Sequence, residues 1–476
     1  MLPADIVDAT DTSHPDYYHR VVDCQWACPA HTDVPEYIRL IAQGRYTDAY
    51  LVNRQSNVFP GILGRVCDRP CEPACRRGRV EEKPVAICRL KRVAADLRED
   101  LDGRLPKIPQ LKNGKRIACI GAGCASLTVA NDLLPLGYEV TIFERYGLPG
   151  GLMRSNIPSF RLPERVLDEE IGMILGMGVD LRLGTPVESL RAMLEQGGFD
   201  AVFVGSGAPK GKELTLPGRE AASANVHIGI SWLESVAFGH TERIGERVLI
   251  IGVGNTAMDC CRTSLRLGAR EVKVMARKPR GFFKASPWEL EDAEEERVEI
   301  IVNRSPKAFV VENGRLTGMR FECMEYELDA RGRILSERVS GEEFLPADDV
   351  ILAIGQENAF PWIDVPDAGA SGASRQPAEP SHRLARQSGE CHRCGLFGSD
   401  PSPICRGRTF AAKDGDLIVD LHDGMSQLQD GLVLLVRLVQ LVRLVQSVWN
   451  WGKLPHAGHD RLRRAALDEQ QLLHTG

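Results

Sequence analysis

Cys119-Ile120-Gly121-Ala122-Gly123-Cys124-Ala125-Ser126 is the stretch that decides the fold. Lys115-Arg116-Ile117-Ala118 before it reads as the start of a short apolar strand, and Leu127 to Leu136 after it as a helix. Gly121 permits a tight turn, Gly123 lets a pyrophosphate approach the backbone at a helix N-terminus, and Ser126 is small enough for close helix–strand packing. A lone pattern of this kind is weak evidence, and a glycine turn with a surface glutamate is the plainer reading. Here a second strand, Tyr138-Glu139-Val140-Thr141-Ile142-Phe143-Glu144, ends in an acid 23 residues after Gly121. That places Glu144 to bind a ribose hydroxyl pair and makes the unit a dinucleotide fold.

Further along, the pattern repeats with a changed ending. Arg247 to Ile251 reads as a strand, Gly252-Val253-Gly254-Asn255-Thr256-Ala257 as the turn, and Met258 to Leu267 as a helix. The next strand, Glu271 to Ala276, runs not into an acid but into Arg277-Lys278-Pro279-Arg280. Cations there cannot accept a ribose hydroxyl, but they suit a 2′-phosphate, so this unit is expected to prefer NADPH to NADH. A solvated basic patch is the alternative. Two nucleotide units, the first for FAD and the second for NADPH, imply hydride transfer from nicotinamide to flavin, which requires no protein acid, base or nucleophile. Cys260-Cys261 read as small buried residues before they read as a redox pair. No C-x-x-C lies beside either glycine turn, which argues against a disulfide-reductase mechanism.

Strands alternating with helices from 115 to about 357 mark a parallel-sheet α/β protein, and 106–114 reads as a linker. Ahead of the linker, Val34 to Ala49 has helical spacing at Val34, Tyr37, Ile38, Ile41 and Tyr46. Six of the fourteen cysteines fall in this region, at Cys24, Cys28, Cys67, Cys71, Cys75 and Cys88. Closely spaced cysteines in turns, two of the groups followed or interleaved by proline, supply the convergent thiolates that an iron–sulfur core needs. Zinc is the main rival, and a disulfide framework the blandest reading. Met1-Leu2-Pro3-Ala4-Asp5-Ile6 shows no basic region before an apolar run, so a cytoplasmic protein is expected. At 476 residues, 43% hydrophobic and 26% charged, the chain has ample material for about three domains. Its net charge of −6 gives no reason to expect a nucleic-acid partner.

Roughly positions 20–362 resemble the small (beta) subunit of NADPH-dependent glutamate synthase and the N-terminal, electron-input half of dihydropyrimidine dehydrogenase. The residues that carry the likeness are Cys67 to Cys75, Gly150-Gly151-Leu152 with Ile157 to Pro163, Gly252 to Asp259 followed by Arg262-Thr263-Ser264, and Val350 to Gln356. The resemblance implies a helical iron–sulfur domain (1–105) followed by two Rossmann-like domains. The NADPH domain (241–345) is inserted in an FAD domain (115–240, resumed at 346–365). It places Gly121, Gly123, Glu144, Gly151 and Arg161 near FAD, and Gly252, Gly254, Asn255, Thr256 and Arg277 near NADPH. Electrons are then expected to leave through 4Fe–4S centres to a larger catalytic subunit or a ferredoxin. Cys28, Cys67 and Cys71 fit one cluster, with Cys88 near the family's fourth ligand, whereas Cys24 and Cys75 lack their usual companions. A non-catalytic, cluster-bearing assembly subunit is the rival function.

The tail departs from the family. After Phe360-Pro361-Trp362-Ile363-Asp364 six of the chain's eleven histidines appear and no tyrosine does. Residues 366–476 read as an atypical, degenerate or frameshifted segment that promises no replacement strand for the FAD sheet. Gly395 to Asp400 is a candidate surviving Gly-Asp element, and Cys391, Cys394 and Cys405 are a candidate metal group. Leu438 to Gln446 is long and apolar enough to raise a membrane span, but Arg437 and Arg443 make one expensive, and none is expected.

Overall fold

The computed structural model describes residues 22–101, 103–360 and 410–412 of the chain. It opens with short helices α1 (Asp23–Ala27), α2 (Val34–Ala42), α3 (Tyr46–Ser56), α4 (Pro60–Val66) and α5 (Ile87–Asp96). The helix expected over 34–49 is therefore two helices. The chain breaks between them at Gly44, whose φ of +74° is the left-handed conformation that ends a helix. Asp33 caps α2 by accepting from the Glu36 amide at 3.2 Å. The buried face of α2, Val34, Tyr37 and Leu40, packs on Ile87 and Ala94 of α5. Helix α4 crosses α5 at Gly64, where an added Cβ would stand 2.7 Å from the Arg92 Cα. Only glycine permits that approach, which brings Cys67, just after α4, beside Cys88 at the start of α5.

The first sheet is built from β1 (Arg116–Ile120), β2 (Glu139–Phe143), β3 (Asp180–Arg182) and β4 (Ala201–Val204). Its strands are parallel, in the order β4-β1-β2-β3. Helices α6 (Cys124–Leu133), α7 (Leu152–Ser155), α8 (Glu164–Leu175) and α9 (Leu190–Gln196) surround it. Val58, Phe59 and Ile62 of the helical segment share a core with Leu127, Ile142, Leu167 and Ile174. Each such fully buried side chain contributes about 1.5–3 kcal/mol. Glu170 of α8 ties the same junction. Its buried carboxylate accepts from the Gly61 and Ile62 amides at 2.7 and 2.9 Å, and from the Tyr50 hydroxyl at 3.1 Å.

The chain enters the second unit at β5 (Lys210–Gly211). It continues through β6 (Val226–Ile228), α10 (Gly229–Ala237), β7 (Arg247–Ile251), α11 (Asn255–Arg266), β8 (Glu271–Met275), α12 (Pro287–Glu295) and β9 (Glu299–Ile301). Three long antiparallel strands follow, β10 (Arg304–Glu312), β11 (Arg315–Leu328) and β12 (Ile334–Pro346), then β13 (Asp349–Leu352) and β14 (Gln356–Glu357). The parallel sheet has the order β6-β13-β7-β8-β9. Two expectations are corrected here. The second sheet already includes Val226–Ile228, before position 241, and it keeps Asp349–Leu352, which the sequence had returned to the FAD domain. The physical reason is burial: all four residues of β13 are buried, and the strand sits between β6 and β7 as a central strand must. The alternation of strands and helices also fails over 304–346, where a meander occupies one face of the sheet through Phe309, Leu316, Met319 and Phe321. On the opposite face α11 and α12 pack through Met258, Cys260, Cys261 and Leu290. Antiparallel pairing of β5 with β14 closes the crossing between the units.

A third correction concerns the tail. Phe410–Ala412 forms β15, antiparallel to β4 and covering an edge of the first sheet that the sequence reading left bare. Gly395 to Asp400, Cys391, Cys394, Cys405 and Leu438 to Gln446 lie outside the described residues. Among the described residues no helix is long and apolar enough to cross a membrane.

Candidate cofactor sites

At the first glycine turn, Gly121 has φ +88° and an added Cβ would lie 3.1 Å from the Gly205 carbonyl oxygen. Gly151 approaches from the other side, so that a Cβ on it would fall 2.9 Å from the Gly123 Cα. The result is a groove of bare backbone at the start of α6, which a side chain at either position would fill. Glu144 is 4% exposed, and its oxygens accept from the Ala122 amide at 2.7 Å and the Tyr146 amide at 3.0 Å. Each carboxylate oxygen retains acceptor capacity, so ribose hydroxyls fit beside those bonds. Ser126 is fully buried against Gly205 and its hydroxyl has no partner. It serves close packing, and it has no exposed surface to offer a cofactor.

The second turn is tighter. Gly252 has φ +119°, and an added Cβ would stand 2.3 Å from the Ala353 carbonyl oxygen, while Gly254 has open space around it. Asn255 begins α11, and Thr256 borders a small cleft of about 10 Å³ with Ile228, Ile230, Leu352 and Gly355. At the end of β8 the Arg277 side chain is 58% exposed, with Glu337 at 3.4 Å. Lys278 lies over the Phe282 ring at 5.5 Å. Cys260 and Cys261 are fully buried, and burial pushes the Cys261 thiol up to about 12, so neither suits redox exchange.

The six N-terminal cysteines are all free thiols. Among the described residues no three His, Cys, Asp or Glu side chains stand close enough to hold a single metal ion. Lys91 on α5 is a buried cation, 6% exposed, and it feels the electrostatic influence of Cys67, Cys28, Cys88 and Cys71. Burial and the charge of Cys75 raise the Cys24 thiol, and both pack against the hydrophobic cluster that holds Cys71. The neighbouring Cys88 thiol draws the Cys67 thiol below the usual range, aided by Lys91 and the Arg69 amide at 3.4 Å. Burial and the charge of Cys67 push Cys71 up to about 12. Cys88 also donates to the Leu63 carbonyl at 3.1 Å, and Glu72 accepts from its amide at 2.9 Å. Several thiols gathered near one buried cation suit a polynuclear anionic core better than a single metal ion.

Arg161, expected near FAD, is spent elsewhere. Its guanidinium donates to both oxygens of Asp259 at 2.7 Å and to Glu289, in a buried network that also takes in Arg262. Phe160 is covered by Arg262 and Arg266 at 4.9 and 3.9 Å. The sequence reading missed Lys91, although its position three residues after Cys88 puts both on one face of a helix. It also missed Asp68 and Ser286, which no local pattern marks.

Two glycine-turn Rossmann-like units behind a cysteine-rich helical segment define a pyridine-nucleotide oxidoreductase fold preceded by an iron–sulfur-type domain. The chain belongs to the pyridine nucleotide-disulphide oxidoreductase family, whose model matches residues 115–369. Residues 18–102 match the family described as dihydropyrimidine dehydrogenase domain II, 4Fe-4S cluster. The chain is 37% identical to the NADP(+)-dependent formate dehydrogenase subunit beta of Moorella thermoacetica, over 72% of this chain and 52% of that protein. It is 36% identical to the NADPH-Fe(3+) oxidoreductase subunit beta of Geobacter sulfurreducens, over 74% of this chain and 54% of that one. Against the glutamate synthase [NADPH] small chain of Escherichia coli identity is 34%, over 71% of this chain and 75% of the relative. The chain thus spans about half the length of the first two relatives.

Proposed function

We propose that the chain oxidises NADPH in its second unit, holds FAD in its first, and passes electrons through a 4Fe–4S centre to a larger subunit or a ferredoxin. The observation that carries this reading is the close crossing of α4 and α5 at Gly64, which gathers Cys67 and Cys88 beside the buried Lys91 while α4 shares a core with the first sheet. When bound, the flavin supplies hydride acceptance and the cluster single-electron transfer. Gly121, Gly123 and Gly151 leave the backbone bare for a pyrophosphate, and Glu144 accepts from a ribose. Gly252, Gly254, Asn255 and Thr256 form the corresponding seat for NADPH, with Arg277 and Lys278 at the strand end for its 2′-phosphate. Cys28, Cys67, Cys71 and Cys88 would hold the cluster, with Cys24 and Cys75 beside it.

Anaerobically purified protein should show flavin bands over a broad thiolate–iron shoulder, with about four iron and four sulfide per chain. Stoichiometric zinc without sulfide would end the cluster assignment. A shoulder without flavin would support the non-catalytic assembly subunit instead. Cofactor choice is tested at Arg277. Arg277→Asp removes a charge-assisted pair worth about 1.5–3 kcal/mol and should raise the KM for NADPH roughly 10–100-fold. The KM for NADH should change by less than about twofold. Equal effects on the two would mean that Arg277 serves only Glu337.

A further inference from the structure

Ser286 stands at the N-cap of α12, where a serine hydroxyl ordinarily accepts from the helix's first amides, yet it makes no such bond. Its hydroxyl is turned outward and donates to Asp68 Oδ1 at 2.6 Å. Asp68 follows Cys67 directly. From the other side the Asn255 side-chain amide donates to the Ser286 hydroxyl at 3.3 Å, and Asn255 Oδ1 accepts from the Ser286 backbone amide at 2.8 Å. Asn255 follows Gly254 in the second glycine turn. A second contact runs parallel: the Arg69 guanidinium lies 4.3 Å over the Trp288 ring. Arg69 holds φ +53°, a conformation an arginine keeps only when its surroundings fix it.

We propose that Ser286 and Asp68 are positioning residues that couple nucleotide binding at the second turn to the cysteine loop Cys67–Cys71. The inference rests on the cofactor assignments above. Asn255, Ser286 and Asp68 form one donor-to-acceptor chain with a single hydroxyl at its centre. A phosphate drawn to the Gly254–Asn255 backbone amides sits next to the Asn255 side chain, and any reorientation of that side chain alters how strongly the Ser286 hydroxyl hydrogen-bonds the carboxylate next to Cys67. Linkage makes the effect reciprocal, so the oxidation state at the cysteines must change affinity at the turn.

Adenosine 2′,5′-bisphosphate, which carries the 2′-phosphate but no nicotinamide, is the probe, because it binds without turnover. The readouts are its dissociation constant by calorimetry and the cluster midpoint potential by EPR-monitored titration of the holoprotein, with and without saturating probe. In the wild-type chain the probe should change the reduced-to-oxidised ratio by about fivefold or more, which is roughly 40 mV for one electron. Ser286→Ala, which sacrifices no helix cap, and Asp68→Asn should each bring the change below about twofold, and Ser286→Thr should restore it. A bound probe with an intact cluster signal and no wild-type shift overturns the coupling, as does a full shift in Ser286→Ala. No probe binding, or no cluster signal, overturns the underlying assignments and the coupling with them.

Discussion

Replacing Arg161 with methionine should destabilise the chain by about 3–5 kcal/mol, because it strands two buried carboxylates. Asp259 and Glu289 lose the guanidinium that bridges them, and Arg262, which contacts Glu289 at 3.6 Å, cannot replace a bidentate partner. The loss should depend on pH. Burial holds the carboxyls of Asp259 and Glu289 above their usual range, and Arg161 is the main influence pulling them down. A carboxyl raised in the folded state binds its proton more tightly there, so its contribution is present at low pH and is lost as pH rises through the folded value. Without Arg161 both values climb further and the variant recovers on acidification. Urea denaturation at about pH 6 and about pH 8 should therefore show the larger loss at the higher pH. A deficit under about 1 kcal/mol, or one equal at both, would mean that the network is solvated in the free chain.

The consequence reaches the site. Arg161 joins the loop after Gly151 to α11 and α12 of the second unit, so it holds the two nucleotide units in register. The resemblance named Arg161 as important but assigned it to the flavin; its partners lie a hundred residues on and no local spacing could show them. Residues whose role is local were legible. Gly121 and Gly252 must adopt positive φ, and the motif says so; Glu144 ends a strand at a fixed offset. Gly44 ends a helix by the same logic, yet it was read through, because the apolar spacing of Val34 to Tyr46 continues across it. The hairpin at Asn313-Gly314, with φ +52° and +74°, carried a strong turn signal. It went unread although Ala308-Phe309-Val310-Val311 runs into it, because the strand that follows mixes Glu322, Glu325 and Glu327 with its apolar residues. Phe410–Ala412 was illegible for another reason. A three-residue edge strand is chosen by the ladder it completes, not by its own pattern.

Lys91→Met should lower the reduction potential of the cluster by roughly 100 mV while leaving the fold intact. Lys91 is buried on α5; burial pulls its pKa down, but the neighbouring cysteines, Cys67 first among them, more than offset this and keep it protonated. A fixed positive charge next to an anionic core favours the state with one more electron. Unit charges about 6–8 Å apart at an effective dielectric constant near 20 interact by about 2–3 kcal/mol, which is the origin of the expected shift. Methionine has similar length and no charge, so it preserves packing against the core of α2 and α5 while removing the electrostatics. Because reduction would then be harder, NADPH should reduce a smaller fraction of the cluster at equilibrium, and EPR-monitored potentiometry would read both numbers. Lys91→Arg keeps the charge and should keep the potential within about 30 mV of wild type. An unchanged potential in Lys91→Met with full iron occupancy would place the cluster away from this cation. The ligand set would then have to be sought on the Cys24–Cys75 side of the helical segment.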